Sequence, residues 1–203
     1  RKNADKEVAK RLKKGEKLSP IQIDGRQIAK TFWGKSWCDH LESFSDYENR
    51  LPRGRTYVRN GSVIHLSVEA GKIEALVQGS LLYKIKIDIK SVDSKKWKTI
   101  AKNCSGEINS VIELLQGKLS SGVMNTIADK QNGLFPHPKE ILLNCSCPDW
   151  ADMCKHVAAV LYGIGSRLDN EPELLFKLRN VNHLDLITEA KVKVHAKRNT
   201  KSN

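Results

Sequence analysis

From Ser62 to Ile89 the chain alternates apolar and polar residues in three runs, Ser62–Glu69, Lys72–Ser80 and Leu82–Ile89. A period of two places successive side chains on opposite faces of a sheet, so the runs predict a meander of antiparallel strands. Ala70-Gly71 separates the first two runs, and the glycine suits the positive φ of a tight hairpin turn. Elsewhere the period lengthens. Trp37, Leu41 and Phe44 recur at helical spacing within Lys35–Phe44, and Lys95–Asn103, Ile108–Gln116 and Ser121–Lys130 read as further helices. Asp93 or Ser94, and Ser105, are the candidate caps. A fourth extended run, Ile141–Cys147, stops at Pro148, which lacks the N–H to continue a ladder. Val157, Val160, Leu161, Ile164 and Leu168 then give an amphipathic helix, followed by short helices at Pro172–Arg179 and Leu184–Ala190. The expected class is α+β: a small antiparallel sheet with packed helices, then a ββα-like finger and short carboxy-terminal helices.

Charge changes the picture at the ends. Lys and Arg number 35 against 23 Asp and Glu in 203 residues, a net charge of +12. Such a balance attracts polyanions without naming one. Residues 1–19 are a Lys-rich arm with few apolar positions, expected to be disordered or helical only when bound. The expected division is this arm, an α+β domain at 20–134, a finger at 135–168, helices at 169–190 and a basic tail at 191–203. No apolar run reaches membrane-span length and no signal-peptide pattern opens the chain, so the expectation is a cytoplasmic protein. Its first residue is Arg, which suggests numbering that begins inside a longer protein.

The sharpest chemistry is Cys145-Ser-Cys147, a six-residue gap, and Cys154-Lys-His156. Residues i and i+2 on a strand point the same way, so Cys145 and Cys147 can chelate one ion undistorted. Cys154 should precede the following helix, with His156 in its first turn. Three sulfurs and an imidazole make the closed tetrahedral shell of structural zinc, and the imidazole argues against an iron–sulfur cluster. Zn2+ is therefore the expected cofactor. Three thiolates on a dication leave one negative charge, which Lys155 partly offsets. Cys38 and Cys104 are left over and read as core or half-buried thiols.

CxC, a short gap and CxH leading into Lys155-His156-Val157-Ala158-Ala159-Val160-Leu161-Tyr162 resembles the SWIM zinc finger. That family occurs in bacterial proteins associated with Swi/Snf-class helicase-like ATPases, in plant transposases and in some ubiquitin-pathway kinases. Upstream, Phe32-Trp33-Gly34-Lys35-Ser36-Trp37-Cys38, the run Asp46–Arg55 and Tyr57-Val58-Arg59-Asn60-Gly61-Ser62-Val63 resemble the amino-terminal half of bacterial members. The resemblance implies a zinc-stabilised module that binds nucleic acid or protein and is not an enzyme.

A second constellation is Arg50, Arg53, Arg55 and Arg59 with Tyr47 and Tyr57 interleaved. Guanidinium forks grip phosphate oxygens and tyrosines offer stacking faces. With Pro52 and Gly54 inside it, residues 45–61 read as an irregular loop whose arginines either fan around a backbone or pair with Asp46 and Glu48. Lys84, Lys86 and Lys90 line one strand face, a solvated edge or a further phosphate contact. No nucleophile, base and oxyanion site assemble: Cys38 and His40 do not share a helix face, and no glycine loop cradles a phosphate. Two functions stay open. One is a non-catalytic DNA- or RNA-binding protein using Arg50, Arg53, Arg55, Tyr57, Arg59 and Lys155. The other is a protein-interaction module docking onto a helicase-like ATPase. Exposed Trp150 and Met153 would favour the second; Lys155 and Arg167 continuous with the arginines would favour the first.

Overall fold

The structure, a computed structural model, describes residues 2–44, 50–151 and 153–187. Helices α1 (Lys2–Lys13), α2 (Phe32–Glu42) and α3 (Leu51–Arg59) precede strands β1 (Val63–Glu69), β2 (Lys72–Gln78) and β3 (Leu82–Ile89). Then come α4 (Ser94–Cys104), α5 (Val111–Gln116), α6 (Ser121–Ala128), β4 (Ile141–Cys145), α7 (Lys155–Leu168) and α8 (Glu173–Leu178). The fold is a mixed α+β arrangement around one four-stranded sheet in the order β1-β2-β3-β4, antiparallel throughout. The alternation along β2 and β3 buries Ile73, Ala75, Val77, Tyr83, Ile85, Ile87 and Ile89 on one face. Gly71 takes φ 70° in the turn between β1 and β2, as its position predicts.

α7 is the hub. Eleven of its fourteen residues are buried, so it is apolar nearly all round rather than amphipathic, as a helix enclosed on every side must be. Small residues let its neighbours close in. Gly34 of α2 lies against the Gly165 carbonyl, and Gly54 of α3 lies against Ala158. The indole of Trp37 donates to the Leu161 carbonyl at 2.8 Å, which fixes α2 across α7. Asp169, just past α7, accepts from the Lys30 and Thr31 amides at 2.6 and 2.9 Å and so sets where α2 begins.

Several local readings are refined by the structure. Residues 51–59 are the helix α3, not part of a loop. Pro52 occupies the first turn, where its missing N–H goes unused, and Leu51, Gly54 and Val58 form a buried stripe on α7. The amino-terminal arm carries the helix α1, with Ala4 buried and Arg11 paired to Glu7 at 2.9 Å one turn back. The extended run at 141–147 ends as a strand at Cys145, although Ser146 still donates its N–H to the Lys84 carbonyl and accepts the Lys84 N–H on its hydroxyl. Asp93 caps α4, whereas Ser110 rather than Ser105 caps α5. Tyr47, the residues from Thr188 onward and the basic tail lie outside the described residues.

Arg179 ties the carboxy-terminal helix to the sheet. It is fully buried, donates to the Lys90 carbonyl and grips both oxygens of Glu140 at 3.0 and 3.1 Å. Burial alone would raise the Glu140 pKa, but the His137 N–H and the Arg179 guanidinium outweigh it and hold the carboxyl below its ordinary value of 4.5. A depressed carboxyl stabilises the fold above the ordinary value and loses that contribution as the pH falls through the lower, folded one. Glu140→Gln is therefore expected to cost about 1–2 kcal/mol at neutral pH. In denaturant titrations it should also flatten the loss of stability below pH 4.5; an unchanged acid limb would show that the pair contributes nothing.

Candidate metal centre

Zinc-type ligands converge where β4 ends and α7 starts. Cys145 is the last residue of β4, Cys147 follows it, Cys154 is the N-cap of α7 and His156 lies in its first turn. One ligand atom from each of the four lies within 4.8 Å of every other. The Nδ1 of His156 stands 3.9 Å from the Cys145 sulfur and 3.8 Å from the Cys154 sulfur. Tetrahedral zinc with the usual bond lengths separates its ligand atoms by about 3.6–3.8 Å, so the donor set and its spacing both fit Zn2+. Nδ1 is the nitrogen turned to the sulfurs, so the ring hydrogen belongs on Nε2.

The surroundings explain why the imidazole holds its place. Tyr83 stacks on His156 at 4.2 Å between centroids, and Tyr57 meets it edge-on at 5.4 Å. Nε2 is buried without a hydrogen-bond partner among the described residues. Gly79 sits close against it: a Cβ there would lie 3.1 Å from Nε2. Without metal the sulfurs compete for protons. Cys145 is pushed up chiefly by its hydrogen bond to Cys154, and Cys154 is held down by the same contact, with burial opposing. Cys145, Cys147 and Cys154 would hold a dication as thiolates, which would end that competition. Cys154 also accepts the Val157 N–H at 3.5 Å, so one sulfur serves both the cluster and the start of the helix.

The arginines do not fan out. On α3, Arg50, Arg53 and Tyr57 fall on one flank of the buried stripe and Arg55 and Arg59 on the other. Arg50 reaches Asp149 of the finger loop at 3.4 Å, and the Lys155 ammonium lies 5.9 Å from the Tyr57 ring centre. Arg53 is exposed. Arg55 is engaged by Glu42 at 2.6 Å and by the Tyr162 hydroxyl at 3.1 Å, while Arg59 donates to the Arg26 carbonyl at 3.0 Å. Arg167 is used structurally, on the Leu66 carbonyl and on Ser19. Trp150 is 92 % exposed at the finger tip, and Met153 is buried. Sequence reasoning passed over Tyr83 and Tyr162. Tyr83 carried a signal, as an aromatic on the inward face of β3; the partners of Tyr162 are set only by helix packing.

Among the described residues no helix is long and apolar enough to cross a membrane. Residues 131–163 match the family profile of the SWIM zinc finger. The chain is 36% identical over 163 residues to Uncharacterized protein Rv2102 of Mycobacterium tuberculosis, an alignment covering 79% of this chain and 58% of that protein. No solved structure matches it. A Cys/His cluster of zinc spacing lying within the matched segment establishes that the chain carries a SWIM zinc finger.

Proposed function

We propose that the chain is a non-catalytic, cytoplasmic nucleic-acid-binding protein in which zinc holds the finger beside α3, so that Arg50, Arg53, Tyr57 and Lys155 share one phosphate-gripping surface. The observation that carries this reading is the continuity of α3 with the finger: Lys155 lies over Tyr57, and Arg50 reaches the finger loop. Cations beside an aromatic face, with Arg50 shared by Asp149, suit the backbone and unpaired bases of a nucleic acid better than sequence readout through a groove. Arg55 and Arg59, turned to the other flank, are not part of this surface.

Arg53→Ala with Lys155→Ala tests it. Loss of two phosphate contacts is expected to reduce the slope of log affinity against log salt by about 1.4–1.8, with zinc content unchanged. An unaltered slope and affinity would reject the surface.

The exposed Trp150 supports a second reading, in which the finger docks onto a helicase-like ATPase, because aromatic residues dominate protein hot spots. Trp150→Ala separates the two. Loss of nuclease-resistant co-purification with the ATPase, while oligonucleotide affinity holds, favours docking.

A further inference from the structure

Arg55 and Arg59, the arginines turned away from the finger, line a cleft of about 370 Å³ between α2, α3 and the segment at 26–29. Four cations, Arg26, Lys35, Arg55 and Arg59, face two carboxylates there, Asp39 and Glu42. Burial pushes the neighbouring Cys38 thiol up to about 12, so it adds no negative charge at neutral pH.

Arg55 is set in place before any ligand arrives. Its Nη1 donates to Glu42 at 2.6 Å and to the Tyr162 hydroxyl at 3.1 Å, and Tyr162 donates to the same Glu42 oxygen at 2.6 Å. The guanidinium carbon stands 5.7 Å from the Tyr162 ring centre. This arrangement occupies one nitrogen. Among the described residues Nε and Nη2 have no partner, and together they form the side-on fork that matches two oxygens of a phosphate. Arg59 is held through its Nε on the Arg26 carbonyl, which leaves both terminal nitrogens unengaged among the described residues. Arg179 and Arg167 place both terminal nitrogens on protein acceptors, whereas among the described residues Arg55 leaves one terminal nitrogen without a partner and Arg59 leaves two, facing a cleft.

We infer that this cleft is a phosphate site, taking the phosphoryl group of a phosphate ester on the forks of Arg55 and Arg59 with Lys35 and Arg26 at its rim. A cleft of this volume lies within the range that small ligands fill. The group has two sources, a free phosphate ester or the phosphate of a nucleic-acid strand. The site lies on the opposite flank of α3 from the finger surface and stands or falls without it.

Titration of the intact zinc-loaded protein at constant ionic strength tests the site, followed by backbone amide NMR and calorimetry. The probes are inorganic phosphate, a nucleoside 5′-monophosphate, and one oligonucleotide with and without a 5′-phosphate. Saturable shifts at residues 26–29, Lys35 and Arg59 are expected. Arg59→Ala or Lys35→Ala, both exposed, should weaken monophosphate binding roughly tenfold or more. Arg55→Lys keeps the charge and loses the fork, so it should weaken binding comparably while thermal unfolding confirms that the chain still folds. Displacement of the monophosphate only by the 5′-phosphorylated strand identifies a strand end; displacement by both strands identifies backbone phosphate, and displacement by neither a free ester. Shifts that never saturate, or that survive Arg59→Ala and Arg55→Lys unchanged, overturn the site. Arg53→Ala with Lys155→Ala should leave monophosphate binding intact, so the failure of either proposal is visible without the other.

Discussion

Cys154→Ala is expected to release zinc and to destabilise the fold more than a change at any other ligand, because this sulfur has two jobs. It converges with Cys145 and His156 on the metal position, and it accepts the Val157 N–H as the N-cap of α7. Binding of structural zinc is worth on the order of 10–16 kcal/mol in small fingers, and a variant that no longer holds the ion loses whatever part of it stabilises this fold. Loss of the cap adds about 1 kcal/mol. Cys154→Ser keeps a capping oxygen and so should recover that last increment while still failing to hold zinc. Cys147→Ser, at a half-exposed loop position, should empty the site with less damage to the helix. Metal analysis with denaturant unfolding gives the ranking. Hydrogen exchange on the chelated protein should first open residues near 144–157, while the body of α7 stays protected by its packing. Full zinc content and unchanged stability in Cys154→Ala would remove the metal centre from the account of this fold.

What the sequence made legible was local. Ligand spacing is a property of twelve consecutive residues, and the three strands of the meander declare themselves by alternation, so both needed no knowledge of the rest of the chain. α3 was illegible for the opposite reason. Pro52 and Gly54 read as loop formers, and nine residues make a marginal helix in water, so the segment is helical only because α7 offers Ala158 for Gly54 to lie against. The arginines followed the same rule. Their residue type announced anion binding, but Glu42 and Tyr162, which hold Arg55, come from two other helices. The pairing of β4 with β3 was hidden too, since α4, α5 and α6 intervene in sequence and nothing in either strand names its partner. Spacing thus located the metal centre, while tertiary packing decided which arginines stand beside it.

Gly54→Ala probes that packing directly, and the sign of its effect is the informative part. In an exposed helix interior the change would stabilise by about 1 kcal/mol, because alanine is the better helix former. Here the new Cβ would lie 2.5 Å from the Ala158 Cβ and 2.9 Å from the Ala158 carbonyl carbon, against a helix buried on all sides. Neither backbone can give locally, so α3 must lift from α7, and a net loss of about 2–3 kcal/mol is expected. Adding Ala158→Gly removes the nearest of the clashing atoms and should restore part of it, a coupling of about 1 kcal/mol in a double-mutant cycle. The displacement reaches the surface as well. Arg50, Arg53 and Tyr57 ride on α3, whereas Lys155 belongs to α7, so Gly54→Ala should weaken nucleic-acid binding without altering any charge. Urea unfolding and oligonucleotide titration of the single and double variants decide it. A Gly54→Ala protein more stable than the parent would mean that the two helices are not in contact at this crossing, and the shared surface built on that contact would go with it.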